Sequence, residues 1–259
     1  MTRLLLSMRP GAPASTAFVA VLVAAALGVT GCAAAPPSDD DDTSGAGTSA
    51  LGSDAYRTYA DLATAGGAAP APAPGSVTVV GLRGLSIDGV SHATTYGHAF
   101  DDTFIVLRAD GTVARFAGST HPFELAGVPG VPDVDGDGVP DVGMISPGVY
   151  DVASRARTIA GEPSYAVTQH GSGKLPGWRD TDHDGVLSDD ERAASERRGD
   201  GLTDVLFHQG EGGAPAAVGC QVLPASDIRG FVTAIGGASA HFRYVLVDMT
   251  GRDGSALPR

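Results

Sequence analysis

From Ser76 onward the chain is a succession of short β-rich runs broken by turn residues, and helical spacing is convincing at one place only. There Ile228, Phe231, Val232 and Ile235 fall at i, i+3, i+4 and i+7, behind Ser226 and Asp227 as candidate caps. That pattern restricts the fold to a mainly β domain carrying a late helix and a final strand. The runs 77–80, 103–107, 113–116, 148–152, 165–168, 204–207, 218–223 and 242–247 read as strands, with Ala109-Asp110-Gly111 as a hairpin turn. No internal repeat of domain size is present. The body at 76–250 has the usual length of a single domain.

Upstream the texture differs. Residues 1–31 carry Arg3 and Arg9, an apolar segment at 17–29 and small residues before Cys32. A membrane-spanning helix needs about 20 apolar residues, so this shorter segment reads as an export signal. Its layout resembles a bacterial lipoprotein signal peptide. That resemblance implies cleavage before Cys32, acylation of its thiol and amine, and a membrane anchored through lipid. Ala33 stands where an aspartate would favour inner-membrane retention, so the periplasmic side of the outer membrane is the expected location. Residues 32–75, rich in Ala, Pro, Gly, Ser and Thr with Asp39-Asp40-Asp41-Asp42, read as a disordered tether, and 251–259 as a tail.

Charge excludes one class of partner. Losing 1–31 removes two arginines from 17 basic residues and nothing from 30 acidic ones. Lys174 is the single lysine, and without a basic stripe the chain cannot neutralise phosphates, so nucleic acid is not expected as a partner.

Two acidic stretches have the pattern of cation loops. Asp180, Asp182, Asp184, Gly185, Val186, Ser188 and Glu191 occupy positions 1, 3, 5, 6, 7, 9 and 12 of a calcium loop. Ca²⁺ takes six to eight oxygens, and such a loop turns alternate side chains and the Val186 carbonyl inward. Residues 189–198 can form the exiting helix of an insert at 178–200. Pro176 and Gly177 leave no room for a full incoming helix, which makes this an isolated loop. Asp133, Asp135, Asp137, Gly138 and Asp141 form a shorter version, with Met144 where the glutamate should stand. Both ions are expected to be structural.

If Cys32 is acylated, Cys220 is an unpaired thiol in an oxidising compartment, which requires an explanation. It could be a small buried hydrophobe. It could also be a nucleophile, since His208 precedes it across a Gly-rich crossing and Gly219 allows close approach of backbone and substrate. The amides near Gly219 and Cys220 are then candidate oxyanion donors. The segment from His208-Gln209-Gly210 through Val218-Gly219-Cys220-Gln221 resembles the catalytic-domain family of L,D-transpeptidases, in a shorter-loop branch with glutamine after the cysteine. Residues 102–107, Ser146-Pro147-Gly148-Val149-Tyr150-Asp151 and the helix after Cys220 match the order of that family over about residues 100–248. The resemblance implies a β-sandwich acting on peptidoglycan stem peptides, with Cys220 as nucleophile and His208 as base. Ala217 replaces the family's usual serine and Gln221 its common arginine, which touches efficiency and substrate choice. A murein L,D-carboxypeptidase using the same residues, or a noncatalytic peptidoglycan-binding lipoprotein, are the alternatives. His170 could approach the site from a neighbouring strand, whereas His92, His98, His121 and His241 read as structural.

Overall fold

The structure is a computed structural model that describes residues 53–68, 76–93, 99–123, 128, 130–211, 214–215 and 217–258. The signal segment, Cys32, the aspartate run and His98 lie outside the described residues. In chain order the elements are α1 (Ser53–Ala65), β1 (Val77–Arg83), β2 (Asp102–Arg108), β3 (Val113–Gly118), β4 (Gly143–Ile145), β5 (Gly148–Ile159), β6 (Glu162–Thr168), β7 (Leu175–Arg179), α2 (Asp189–Arg198), β8 (Gly201–Leu202), β9 (Leu206–Gln209), β10 (Gln221–Leu223), α3 (Ile228–Ile235) and β11 (His241–Asp248). Among the described residues no helix is long and apolar enough to cross a membrane.

Eight strands form one sheet in the order β10-β9-β6-β5-β11-β1-β2-β3. Its two edges meet where Ser119, just after β3, exchanges backbone hydrogen bonds with Val222 of β10 at 2.8 and 2.9 Å. The sheet is therefore curled nearly into a barrel, and its inward side chains fill it. Phe104, Phe116, Phe207, Tyr244 and Phe242 converge there, and α3 closes one end. Phe231 of α3 stacks on Phe207 with ring centroids 5.7 Å apart and planes 8° apart. The helix lies where its spacing placed it, with Ile228, Phe231 and Ile235 buried and Gly236 ending it in the left-handed conformation. Asp227 occupies the N-cap position without capping, and its carboxylate instead accepts the amide of Ala117.

The expected tether is interrupted by structure. Within 32–75, α1 presents Tyr59 and Ala63 to the outer surface of the curled sheet, against Val80, Leu82, Ile105, Leu107, Val245 and Val247. This explains why β1 and β2 are buried along nearly their whole length, on both faces. A stripe at Ala55, Tyr56, Tyr59, Ala60 and Ala63 is the missed signal, obscured by the alanine-rich composition around it. The tail is docked too, since Tyr59 donates its hydroxyl to the Pro258 carbonyl and Leu257 packs on the same cluster.

A second, three-stranded sheet in the order β4-β7-β8 carries the acidic loops. Residues 133–141 lead into β4, while residues 180–191 join β7 to α2, which returns through β8. Met144, Trp178 and Leu187 make its small core. Arg192 of α2 lies over the Trp178 ring at 4.7 Å and pairs with Asp248 of β11 at 3.4 Å.

Candidate functional site

In both acidic loops the backbone follows the same path. At position 4 stand His183 and Gly136, and at position 6 Gly185 and Gly138, all with positive φ of 59°, 85°, 82° and 95° respectively. The side-chain to backbone bonds repeat as well. The position-6 amide donates to the first aspartate (Gly185 to Asp180, 3.1 Å; Gly138 to Asp133, 2.9 Å). The position-7 amide donates to the third (Val186 to Asp184 and Val139 to Asp137, both 2.7 Å). Such bonds fold carboxylates toward one centre, leaving their remaining lone pairs for a cation.

The loops differ in how they are closed. In the 180–191 loop, Glu191 reaches back from the first turn of α2. Its Oε1 accepts the Thr181 amide at 2.7 Å, and its Oε2 accepts the Ser188 amide and hydroxyl at 2.9 Å. Ser188 is the N-cap of α2 and forms a capping box with Glu191, so the loop's last carboxylate is fixed by the helix start. Asp180, Asp182 and Glu191 each bring a carboxylate oxygen within 4.8 Å of the others. Asp180 is fully buried, yet its Oδ1 has no hydrogen-bond partner. Burial first, and then the nearby Glu191 and Asp182 charges, push the Asp180 carboxyl up to about 6 against the opposing Gly185 amide. An orphaned buried oxygen among like charges is what a divalent cation would relieve. Val186 is exposed, which suits a position where only the carbonyl is used.

In the 133–141 loop, Asp133, Asp135 and Asp141 converge likewise. Asp141 is buried and engaged, for it accepts the Val134 amide and stands 2.9 Å from His183 Nε2. Met144, at the place of the missing glutamate, lies in the small core of the second sheet. His183 thus ties one loop to the other, reinforced by the Asp180 amide donating to the Val142 carbonyl at 3.0 Å.

The cysteine region is arranged differently. Parallel pairing sets Gln221 opposite Phe207 and Val222 opposite His208, so Cys220 comes beside Leu206. His208 lies inside β9, because the strand begins two residues later than its apolar run suggests, after Asp204 adopts φ 55°. The β10 strand is correspondingly short, since Gly219 bends the chain at φ 105°. The thiol of Cys220 is turned toward the β9 backbone, accepting the Leu206 amide at 3.4 Å and lying 3.9 Å from the Asp204 carbonyl. His208 is buried and its Nδ1 is 2.7 Å from the Gln209 carbonyl. The two residues expected to act as a pair stand in β9 and in the turn just before β10, but their hydrogen bonds go elsewhere. Burial raises the Cys220 pKa and lowers that of His208, so both are neutral in this arrangement.

Three features were not read from the sequence, two of them beside the cysteine. Gln221 is fully buried and faces the barrel, accepting the Tyr244 hydroxyl at 2.6 Å and donating to the Gly219 carbonyl at 3.4 Å. It therefore braces the turn and does not face a substrate. Gly219 is enclosed, since a β-carbon there would stand 2.5 Å from Leu202 Cδ2 and 2.7 Å from the Gly143 carbonyl oxygen. Beyond them, Arg83 is fully buried in β1 and donates to Thr120 Oγ1, the Thr120 carbonyl and the Ile145 carbonyl at 2.9 to 3.0 Å. Asp102 accepts the Gly84 and Thr120 amides at 2.7 and 2.8 Å, with His92 and His121 beside it. A charged residue within each of two apolar runs was the available signal.

His92, Asp101 and Asp102 come close enough to suggest a metal site. The imidazole argues otherwise. Its Nδ1 faces the Ala93 carbonyl at 2.9 Å and its Nε2 the Asp101 carbonyl at 2.7 Å, so both nitrogens must donate and neither lone pair is free. Hydrogen bonding to Asp102 outweighs burial and raises its pKa to about 9, making this a buried ion network. His170 lines a separate cavity of about 340 Å³ with Asp151, Gln169 and Arg243, and His241 is exposed at the start of β11.

Comparison with protein-family models, with curated proteins and with solved structures finds no match for this chain.

Proposed function

We propose that this chain is an exported, lipid-anchored cysteine acyltransferase of the cell wall, an L,D-transpeptidase acting on peptidoglycan stem peptides, whose domain is stabilised by calcium. The observation that carries the catalytic part is the parallel pairing of β9 with β10, which puts Cys220, directly before β10, beside Leu206, two residues from His208. A glycine with φ 105° directly precedes the cysteine and turns the chain so that the thiol comes to the start of β10. In this reading the curled sheet with α3 corresponds to the family's β-sandwich.

The chemistry follows. On substrate binding the thiol leaves the Leu206 amide and passes its proton to the neutral imidazole of His208. The thiolate attacks the carbonyl carbon between an L- and a D-centre, the C–N bond breaks, and His208 returns the proton to the departing amine. An acceptor amine then attacks the thioester, expelling the thiol and restoring the enzyme. Water in place of the amine gives the carboxypeptidase outcome. Asp180, Asp182, Asp184, Ser188, Glu191 and the Val186 carbonyl would hold one Ca²⁺, and Asp133, Asp135, Asp137 and Asp141 a second; the ions supply structural charge neutralisation.

A noncatalytic peptidoglycan-binding lipoprotein is the second reading, favoured by the thiol's engagement with the Leu206 amide in place of His208. Incubation of the protein with defined muropeptides, read by mass, separates the outcomes. Transfer adds a peptide, hydrolysis removes one residue, and neither product should form with Cys220→Ala. Unchanged muropeptides with the wild-type protein would leave the binding module.

A further inference from the structure

The enclosure of Gly219 connects the acidic loops to the cysteine. Leu202 forms the end of β8, the strand reached through α2 from the 180–191 loop. Its two methyl groups face two glycines. A β-carbon at Gly177 of β7 would stand 2.1 Å from Leu202 Cδ1, and one at Gly219 would stand 2.5 Å from Leu202 Cδ2. Leu202 is therefore wedged between the strand that enters the loop and the turn that presents Cys220. The opposite wall of Gly219 is the Gly143 carbonyl of β4, the strand that leaves the 133–141 loop.

The link from ion site to Leu202 is short and made of specific bonds. Asp180, the buried carboxylate with the unpartnered oxygen, directly follows Arg179 of β7. The Arg179 amide donates to Ser195 Oγ of α2 at 2.9 Å, and its guanidinium donates to the Gly201 carbonyl next to Leu202 and to the Asp141 carbonyl at 3.0 Å. Glu191 caps the same helix while serving as the last loop ligand. Loss of the ion would leave Asp180, Asp182 and Glu191 repelling one another at the point where β7 and α2 join, and the element that would shift is the one holding Leu202.

We propose that Ca²⁺ in the 180–191 loop acts on Cys220 through Leu202: the loaded loop clamps the Gly219 turn and holds the partly exposed thiol in its contacts with the Leu206 amide and the Asp204 carbonyl, and removal of the ion releases the turn and frees the thiol from β9. The proposal rests on the calcium reading of that loop and is independent of whether Cys220 is a nucleophile.

The test uses the full chain and pairs two measurements, calcium binding by calorimetry and the rate of Cys220 alkylation by iodoacetamide, followed by peptide mass. Alkylation is run well below the melting temperature of the chelated protein, so that global unfolding does not contribute. Chelation should speed alkylation by about fivefold or more, as local opening of a packed turn does. Asp180→Asn should label at the fast rate with or without Ca²⁺. Leu202→Val, which suits a strand but lacks the Cδ methyls that face Gly177 and Gly219, should bind Ca²⁺ normally and lose most of the calcium dependence. Calcium binding with equal alkylation rates in Ca²⁺ and chelator would overturn the clamp while leaving the site intact. Absence of calcium binding at millimolar concentration would overturn both.

Discussion

The 180–191 loop and the Cys220 turn meet at Leu202, yet they are assembled to different degrees. In the loop, the carboxylates are directed by local bonds: Asx-type contacts to amides, a left-handed residue at positions 4 and 6, and a helix cap that supplies Glu191. In the cysteine region, Cys220 comes from the turn before β10 and His208 from β9, and each has found a backbone partner in place of the other. Local turn chemistry can converge carboxylates before any ion arrives, because each bond spans only a few residues. Two groups that meet only through strand pairing are tuned by what covers them, and here burial raises the Cys220 pKa and lowers that of His208.

The largest expected effect tests the loop side of that contrast. At a calcium concentration a hundred times the dissociation constant, binding contributes about 2.7 kcal/mol, which for a domain of this size raises Tm by roughly 5 to 10 °C. Chelation should remove that increment, and Asp180→Asn should melt at the chelated temperature in either condition; a scan insensitive to Ca²⁺ would break the comparison. Asp135→Asn in the other loop should reduce the increment less, because Asp141 is already satisfied by His183 and the Val134 amide.

Next in size is the turn itself. Gly219→Ala places a β-carbon at φ 105° against Leu202 and the Gly143 carbonyl, at a cost of about 1 to 3 kcal/mol that chemical denaturation would measure. An Ala variant of wild-type stability would show that the turn is free to move and that Leu202 does not clamp it.

A third measurement addresses the cysteine. With burial raising its pKa above that of an ordinary thiol, alkylation of the resting protein should climb at higher pH than that of a free thiol. His208→Ala should change that profile less than twofold, by roughly the scatter of such local effects, while abolishing turnover of muropeptides. A resting thiol that labels rapidly at pH 7 and slows in His208→Ala would show the pair already joined.

The smallest effect lies away from both regions. His92 has a folded pKa of about 9 against an ordinary 6.5, so its contribution is fully present below pH 6.5 and is lost as pH rises through 9. His92→Gln should flatten the stability profile across that window, as read by Tm against pH. Identical profiles for variant and wild type would remove the ion network from the account.

What could be read directly from the residues was local. The β-rich runs became strands, the 228–235 spacing became α3, and the 12-residue acidic pattern became a loop followed by α2, because each signal is contained within one turn, one face or one helix start. The alanine-rich segment at 53–65 was legible in principle, yet its stripe acquires meaning only against the outer face of β1, β2 and β11. Tertiary structure alone decided the rest. Closure of the sheet depends on Ser119 meeting Val222, the inward turn of Gln221 depends on Tyr244, and the enclosure of Gly219 depends on Leu202 and Gly143 arriving from the three-stranded sheet. Residues distant along the chain must be brought together for each of these contacts, and no spacing within a segment encodes which glycine a distant leucine will fill.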